Sequence, residues 1–189
     1  MDRPPDRQRA FISLDIPPGA AQQLLKAVVP LQKEHRLKAL RWIPKVNWHL
    51  TLAFLGDQTA ASLQEVWQTV AVSLQDQVAV PAAIAGVAGF PDAKSPILAA
   101  VIEPTAPLLA LQAQVRHCCE SCGIALDSRR FRPHITLARS RKRQPVRCEI
   151  NEPGIDVIWD SLGLYTSELT SQGSIYTLYR SLTLPHSVA

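Results

Sequence analysis

The sequence predicts a mixed helix-and-strand chain made of two similar lobes related by a pseudo-two-fold axis. Three observations predict it. Short segments alternate apolar and polar side chains, the period of a half-buried strand. Longer segments between them carry apolar residues three and four positions apart, the period of a helix packed on one face. One order of elements also occurs twice. Leu14-Asp15-Ile16-Pro17 ends a strand, a helix follows, and His49-Leu50-Thr51-Leu52-Ala53 opens the next strand. Val101-Ile102-Glu103-Pro104 ends a strand, a helix follows, and His134-Ile135-Thr136-Leu137-Ala138 opens the next. Two copies are too few for a solenoid.

Taken in order, Ala10 to Ile16 reads as a strand, stopped by Pro17-Pro18-Gly19. Ala20 to Leu37 reads as a helix with Leu24, Leu25, Val28 and Leu31 on one face, kinked or ended at Pro30. Trp42 to Pro44 is a short extended piece. His49 to Leu55 is a strand closed by Gly56-Asp57. Thr59 to Gln77 is an amphipathic helix whose core stripe is Leu63, Val66, Trp67, Val70 and Leu74. Strands Val78 to Phe90 and Ile97 to Glu103 flank a turn at Pro91-Asp92. Pro107 to Cys122 is the third helix, with Gly123 suited to its C′ position. Arg132 to Ala138, Ile155 to Thr166 and Ser174 to Leu184 are strand-like. No stretch reads as a linker between independent units, so residues 1–189 read as one domain of two lobes. The basic segment Arg139 to Arg147 is the expected mobile loop.

The 189 residues are 47% hydrophobic and 19% charged, ordinary for a globular chain. A net charge of +4 and a pI of about 9.0 fit a polyanionic partner. The polar N-terminal MDRPPDRQR lacks the apolar core of a secretory signal. The most apolar stretch, Val78 to Phe90, is broken by Pro81, Gly86 and Gly89 and is too short to span a bilayer. These features predict a cytoplasmic protein with no membrane association, and a monomer is expected. With no secretory signal, Cys118, Cys119, Cys122 and Cys148 are not expected to form disulfides. A zinc site would need a second ligand pair, and only Cys148 offers itself. Small side chains packed along a helix, with Cys118 and Cys122 one turn apart, are the simpler reading.

Strand alternation places His49, Thr51 and Ala53 on one face and Leu50 and Leu52 on the other. The second copy places His134, Thr136 and Ala138 on one face and Ile135 and Leu137 on the other. Each strand thus offers an imidazole beside a hydroxyl. If a two-fold axis relates the lobes, the histidines face one another across a cleft, a geometry suited to in-line displacement at phosphorus. One imidazole takes a proton from attacking water and the other gives one to the leaving alkoxide. Threonine hydroxyls stabilise the phosphoryl oxygens. The scheme requires no metal and no cofactor.

A single His-x-Thr is common in strands; two copies in matching contexts are not. Arg139 suits a phosphate clamp, but its parity puts it on the core side unless the strand ends or bends. Arg129, Arg130, Arg132, Arg141, Lys142, Arg143 and Arg147 flank the second motif and offer an RNA path through phosphate contacts. Trp42, Phe11, Phe90 and Phe131 are aromatic candidates for base stacking, with Phe11 and Phe90 better read as core. His35, His117 and His186 have no paired context.

AFISLDIP, LRWIPKVNWHLTLAFLG, GVAGFPDAKSPILAAVI, FRPHITLARSR and LGLYTSELTSQGSIYTLYRSLTL occur in an order that resembles the RNA 2′,3′-cyclic phosphodiesterases of the two-histidine phosphoesterase superfamily, also described as 2′-5′ RNA ligases. The resemblance implies a bilobal α+β fold with antiparallel sheets lining a central cleft and helices outside. It implies that His49 donates a proton to the leaving 3′-oxygen, that His134 accepts one from water, and that Thr51 and Thr136 hold the phosphate. Arg139, Arg130, Phe131 and Trp42 join them as candidate substrate contacts. The partner would be RNA ending in a 2′,3′-cyclic phosphate, tRNA fragments among the candidates, and the product a 2′-phosphate; the reverse reaction would join RNA ends 2′-5′. Two departures stand out. The strand after Pro96 lacks the family's frequent tryptophan, and Trp48 replaces a smaller apolar residue. The rival readings are a phosphodiesterase for a small cyclic nucleotide or an ADP-ribose cyclic phosphate, and a non-catalytic module that binds RNA ends.

Overall fold

Proline, glycine and capping hydroxyls set the ends of the elements. The computed structural model describes residues 6–141, 144–150, 154–171 and 173–187. They form β1 (Arg7–Asp15), α1 (Pro18–Lys33), β2 (Leu40–Trp42), β3 (His49–Thr59), α2 (Ala60–Ser73), β4 (Val80–Pro81), β5 (Ile84–Phe90), β6 (Ile97–Ile102), α3 (Ala106–Ser121), β7 (His134–Ser140), β8 (Glu149–Ile150), β9 (Ile158–Trp159), β10 (Ser161–Thr170) and β11 (Gly173–Thr183).

α1 starts at Pro18, where a fixed φ suits the first turn, and runs past Pro30 only to Lys33. His35–Leu37, expected within the helix, forms a separate 3₁₀ turn. The Thr59 and Thr105 hydroxyls cap α2 and α3 by accepting from the Ser62 and Leu108 N–H groups, at 3.2 and 3.4 Å. α3 is followed by Gly123 at φ 77°, a conformation favouring glycine. α2 is shorter than expected, and the apolar run Val78 to Phe90 divides into β4 and β5. Cys118 and Cys119 are buried in α3, and the Cys122 thiol lies 3.4 Å from the Thr69 hydroxyl of α2. Burial pushes the Cys119 thiol up to about 12.

The fold is α+β and bilobal. One antiparallel sheet has the order β11-β10-β1-β3, the other β2-β7-β6-β5-β8, and β4 pairs with β9. The sequence duplication corresponds to β1–α1–β3 and β6–α3–β7. In each, the strand before the helix pairs antiparallel with the strand carrying the histidine. β2 crosses from the first-lobe connection to pair with β7, and β3 also meets β7, so the two motifs come together at the centre. Behind them, α2 and α3 pack on β3 and on each other. Leu50, Leu63, Leu108, Leu111, Ile135 and Leu137 are completely buried in this core.

Both motif strands break their alternation at the same place. β1 pairs Ser13 with Thr51 and Ile12 with Ala53, leaving Leu52 as an extra residue. β6 pairs Ala99 with Thr136 and Leu98 with Ala138, leaving Leu137 extra. Each is a β-bulge, which reverses the facing of the residues just beyond it. Leu52 and Ala53 are therefore both buried, as are Leu137 and Ala138. This corrects the simple alternation: Ala53 and Ala138 belong to the core and do not border the cleft. Gln112 of α3 donates to the bulged Leu52 carbonyl at 3.2 Å, satisfying an acceptor taken out of the ladder.

Candidate active site

The sheets enclose a cleft of about 510 Å³ with His49 and Thr51 from β3 and His134 and Thr136 from β7 among its walls. Each histidine is fixed by the same short-range device. His49 Nδ1 lies 2.8 Å from the Asn47 carbonyl, and His134 Nδ1 lies 2.9 Å from the Arg132 carbonyl, both two residues upstream. A carbonyl only accepts, so Nδ1 carries the proton in both rings. Nε2 is left for the cleft in both, able to accept a proton when the ring is neutral and to donate one when it is charged.

Aromatic rings hold the imidazoles flat. Phe11 stacks on His49 at 4.6 Å between centroids and Tyr176 meets it edge-on at 5.3 Å. Phe90 stacks on His134 at 3.8 Å. Burial lowers the pKa of both histidines, but their charged neighbours differ. At His49 the Asn47 carbonyl and Asp15 act against burial, and His134 adds to the lowering. At His134 the Arg132 carbonyl acts against burial, and the Arg139 guanidinium adds to the lowering. The two rings thus have opposite charges beside them.

Beyond the bulges, the fifth residue after each histidine turns into the cleft: Phe54 in the first lobe, Arg139 in the second. β7 runs on to Ser140, and its bulge supplies the bend that Arg139 needs to face the cleft. Trp42 also lines the cleft. Arg130 and Phe131 do not: Arg130 is exposed, and Phe131 packs partly buried against the core. Arg129 pairs with Asp127, and Arg132 donates to the Pro91 carbonyl at 3.1 Å. Arg141 and Arg147 are not among the cleft residues, while Lys142 and Arg143 lie outside the described residues.

Sequence reasoning missed Arg9, Arg41, Phe54 and Tyr176, all of which line the cleft. Phe54 was recoverable, since it matches Arg139 in the repeat. Arg9 lies over the Phe54 ring at 4.6 Å. Arg41 stands directly opposite Arg139 in the β2–β7 pair. Like charges so placed repel unless an anion lies between them. Among the described residues no acidic side chain lines this cleft.

A family model described as the 2′-5′ RNA ligase superfamily matches residues 17–169. A Thermotoga maritima protein named RNA 2′,3′-cyclic phosphodiesterase is 27% identical over 173 residues, covering 89% of this chain and 91% of its own. An Aquifex aeolicus protein of the same name is 31% identical over 161 residues, covering 78% of this chain and 84% of its own. Among solved structures, a Thermus thermophilus protein superposes with a TM-score of 0.81 at 24% identity, covering 95% of this chain and 100% of its own. E. coli LigT in its apo form gives a TM-score of 0.75 at 21% identity, covering 96% of this chain and 99% of its own. With this match running through both halves of the duplication, the chain belongs to the 2′-5′ RNA ligase superfamily.

Proposed function

We propose that this chain hydrolyses the 2′,3′-cyclic phosphate at the end of an RNA to a 2′-phosphomonoester, with His49 and His134 as its acid–base pair. One observation carries the reading: two histidines, each locked in the Nδ1–H tautomer by the carbonyl two residues upstream, present Nε2 to one cleft beside a threonine. Binding alone has no need of a matched acid and base.

In this reading His134 Nε2 takes a proton from the attacking water. His49, protonated on Nε2, gives its proton to the leaving 3′-oxygen on the opposite side of phosphorus. The Thr51 and Thr136 hydroxyls donate to the non-bridging oxygens as charge grows there. Arg139 and Arg41 hold the phosphate, which relieves their mutual repulsion. Trp42 and Phe54 offer faces for a base at the RNA end. The acid–base assignment is supported by the charges beside the two rings: an anion near His49 favours its charged form, and a cation near His134 favours its neutral one. Run backwards, with the roles exchanged, the same groups would join ends 2′-5′. The names of the Thermotoga and Aquifex relatives support the substrate. We take the chain to act as a monomer in the cytoplasm, tRNA fragments being one source of such ends.

The test is incubation of the protein, in EDTA, with a short RNA ending in 2′,3′-cyclic phosphate, resolving 2′- from 3′-phosphate. A 2′-phosphate product is expected. Retention of the RNA without turnover would leave a binding module, and no binding either would redirect the search to small cyclic phosphates.

A further inference from the structure

We infer that Asp15, held by Tyr165 and Ser161 beside His49, is a positioning residue that reserves the proton-donor role for the first-lobe histidine. The inference deepens the acid–base reading above and rests on it. Asp15 stands directly opposite His49 in the β1–β3 pair and is half-buried. Both its oxygens are engaged: Oδ1 accepts from the Tyr165 hydroxyl at 2.7 Å and Oδ2 from the Ser161 hydroxyl at 2.9 Å. Both donors are neutral. They fix the carboxylate without cancelling its charge, which is left to act on the neighbouring imidazole.

The support is built around one glycine. A Cβ at Gly163 would come within 2.4 Å of the Tyr165 ring, so only glycine leaves room for that ring to lie where it meets Asp15. Phe11 stacks on Tyr165 at 5.5 Å and on His49 at 4.6 Å, so one stack runs from the tyrosine to the catalytic candidate. Asp15 closes the circuit between its two ends.

The second lobe lacks the device. Val101 occupies the position opposite His134, and the acid of the repeat, Glu103, falls two residues further on, at the surface. Among the described residues, seven other titratable or charged groups line the pockets that His49 borders. They are Lys45 from the turn before β3, Arg9 from β1, Arg41 from β2, His134 and Arg139 from β7, Tyr165 from β10 and Tyr176 from β11. Among the described residues around that ring, Asp15 is the one carboxylate. Burial and then Asp15 push the Tyr165 hydroxyl well above its usual range, so it remains a donor throughout neutral pH.

The experiment follows the imidazole signals of the unliganded protein by NMR across pH, assigned with single histidine variants. It is paired with pH profiles of kcat on the cyclic-phosphate RNA. In Asp15→Asn, His49 is expected to titrate at lower pH while His134 keeps its midpoint. The alkaline limb of kcat should move to lower pH with it. Turnover at neutral pH should fall about tenfold with KM changed by no more than about twofold, a part of what a positioned acid supplies. Asp15→Glu should restore part of the limb. Gly163→Ala, which displaces the tyrosine ring, should move it the same way by less. Unchanged midpoints in a cooperatively folding Asp15→Asn protein, or equal shifts of both histidines, would overturn the assignment. If the wild type turns nothing over, the activity reading fails, and the NMR titration alone then decides for or against Asp15.

Discussion

In the first lobe His49 lies against Phe11, with Asp15 across the strand pair and Phe54 five residues on. In the second, His134 lies against Phe90, with Val101 across the pair and Arg139 five residues on. What the lobes share is backbone work: the carbonyl two residues upstream that sets the tautomer, and the bulge that turns the fifth residue into the cleft. What they do not share is charge. A duplicated frame supplies two similar imidazoles, and in the proposed acid–base reading their different neighbours would suit one to give a proton and the other to take one.

The comparison breaks most visibly if either histidine is dispensable. His49→Ala and His134→Ala should each lower kcat by about a hundredfold to ten-thousandfold, with substrate affinity largely kept. Steady-state kinetics separates this from a binding role, in which KM would rise and turnover would stand. Next come the threonines. Thr51→Val and Thr136→Val should each cost on the order of a hundredfold in kcat, as loss of one donor to a developing oxyanion does. A loss confined to one lobe would show that only one hydroxyl touches the phosphate.

Arg139→Ala sharpens the contrast in charge. It should weaken substrate binding by roughly tenfold, the worth of a hydrogen bond to a charged group. It should also let His134 titrate at higher pH, because the cation that adds to its lowering is gone. The acid limb of the rate profile then moves up while the alkaline limb stays. The smallest effect belongs to the bulge. Gln112→Leu leaves the Leu52 carbonyl unsatisfied and should cost about 1 kcal/mol, read from the denaturant midpoint.

Much of this frame was legible in the sequence, because a period-2 run and a repeated order of elements report directly on backbone geometry. The repeat led to His49, Thr51, His134 and Thr136, and to two lobes. It misled over Ala53 and Ala138, because nothing in a Leu-Ala pair marks a bulge: both residues are at home in the core. The same hidden bulges concealed Phe54 and left Arg139 on the wrong face. Arg130 and Phe131 were drawn in by their nearness to His134 in sequence, although no regular strand carries them to the cleft. Arg9, Arg41 and Tyr176 come from β1, β2 and β11, and only tertiary pairing brings them there. Phe11 is buried as read and Phe90 is half-buried, and both also form the surfaces on which the imidazoles rest.

The pH dependence of single-turnover kcat/KM tests the two-histidine account most directly. His134 must be neutral, so the rate rises as pH climbs through its pKa; His49 must be charged, so the rate falls as pH climbs through its own. Burial lowers both from the ordinary value of 6.5, which sets the maximum of the wild-type bell below pH 6.5. His134→Ala should abolish the acid limb and His49→Ala the alkaline one in whatever activity remains. A flat wild-type profile from about pH 5 to 9 with chemistry rate-limiting, or a bell that survives both substitutions intact, would contradict the account.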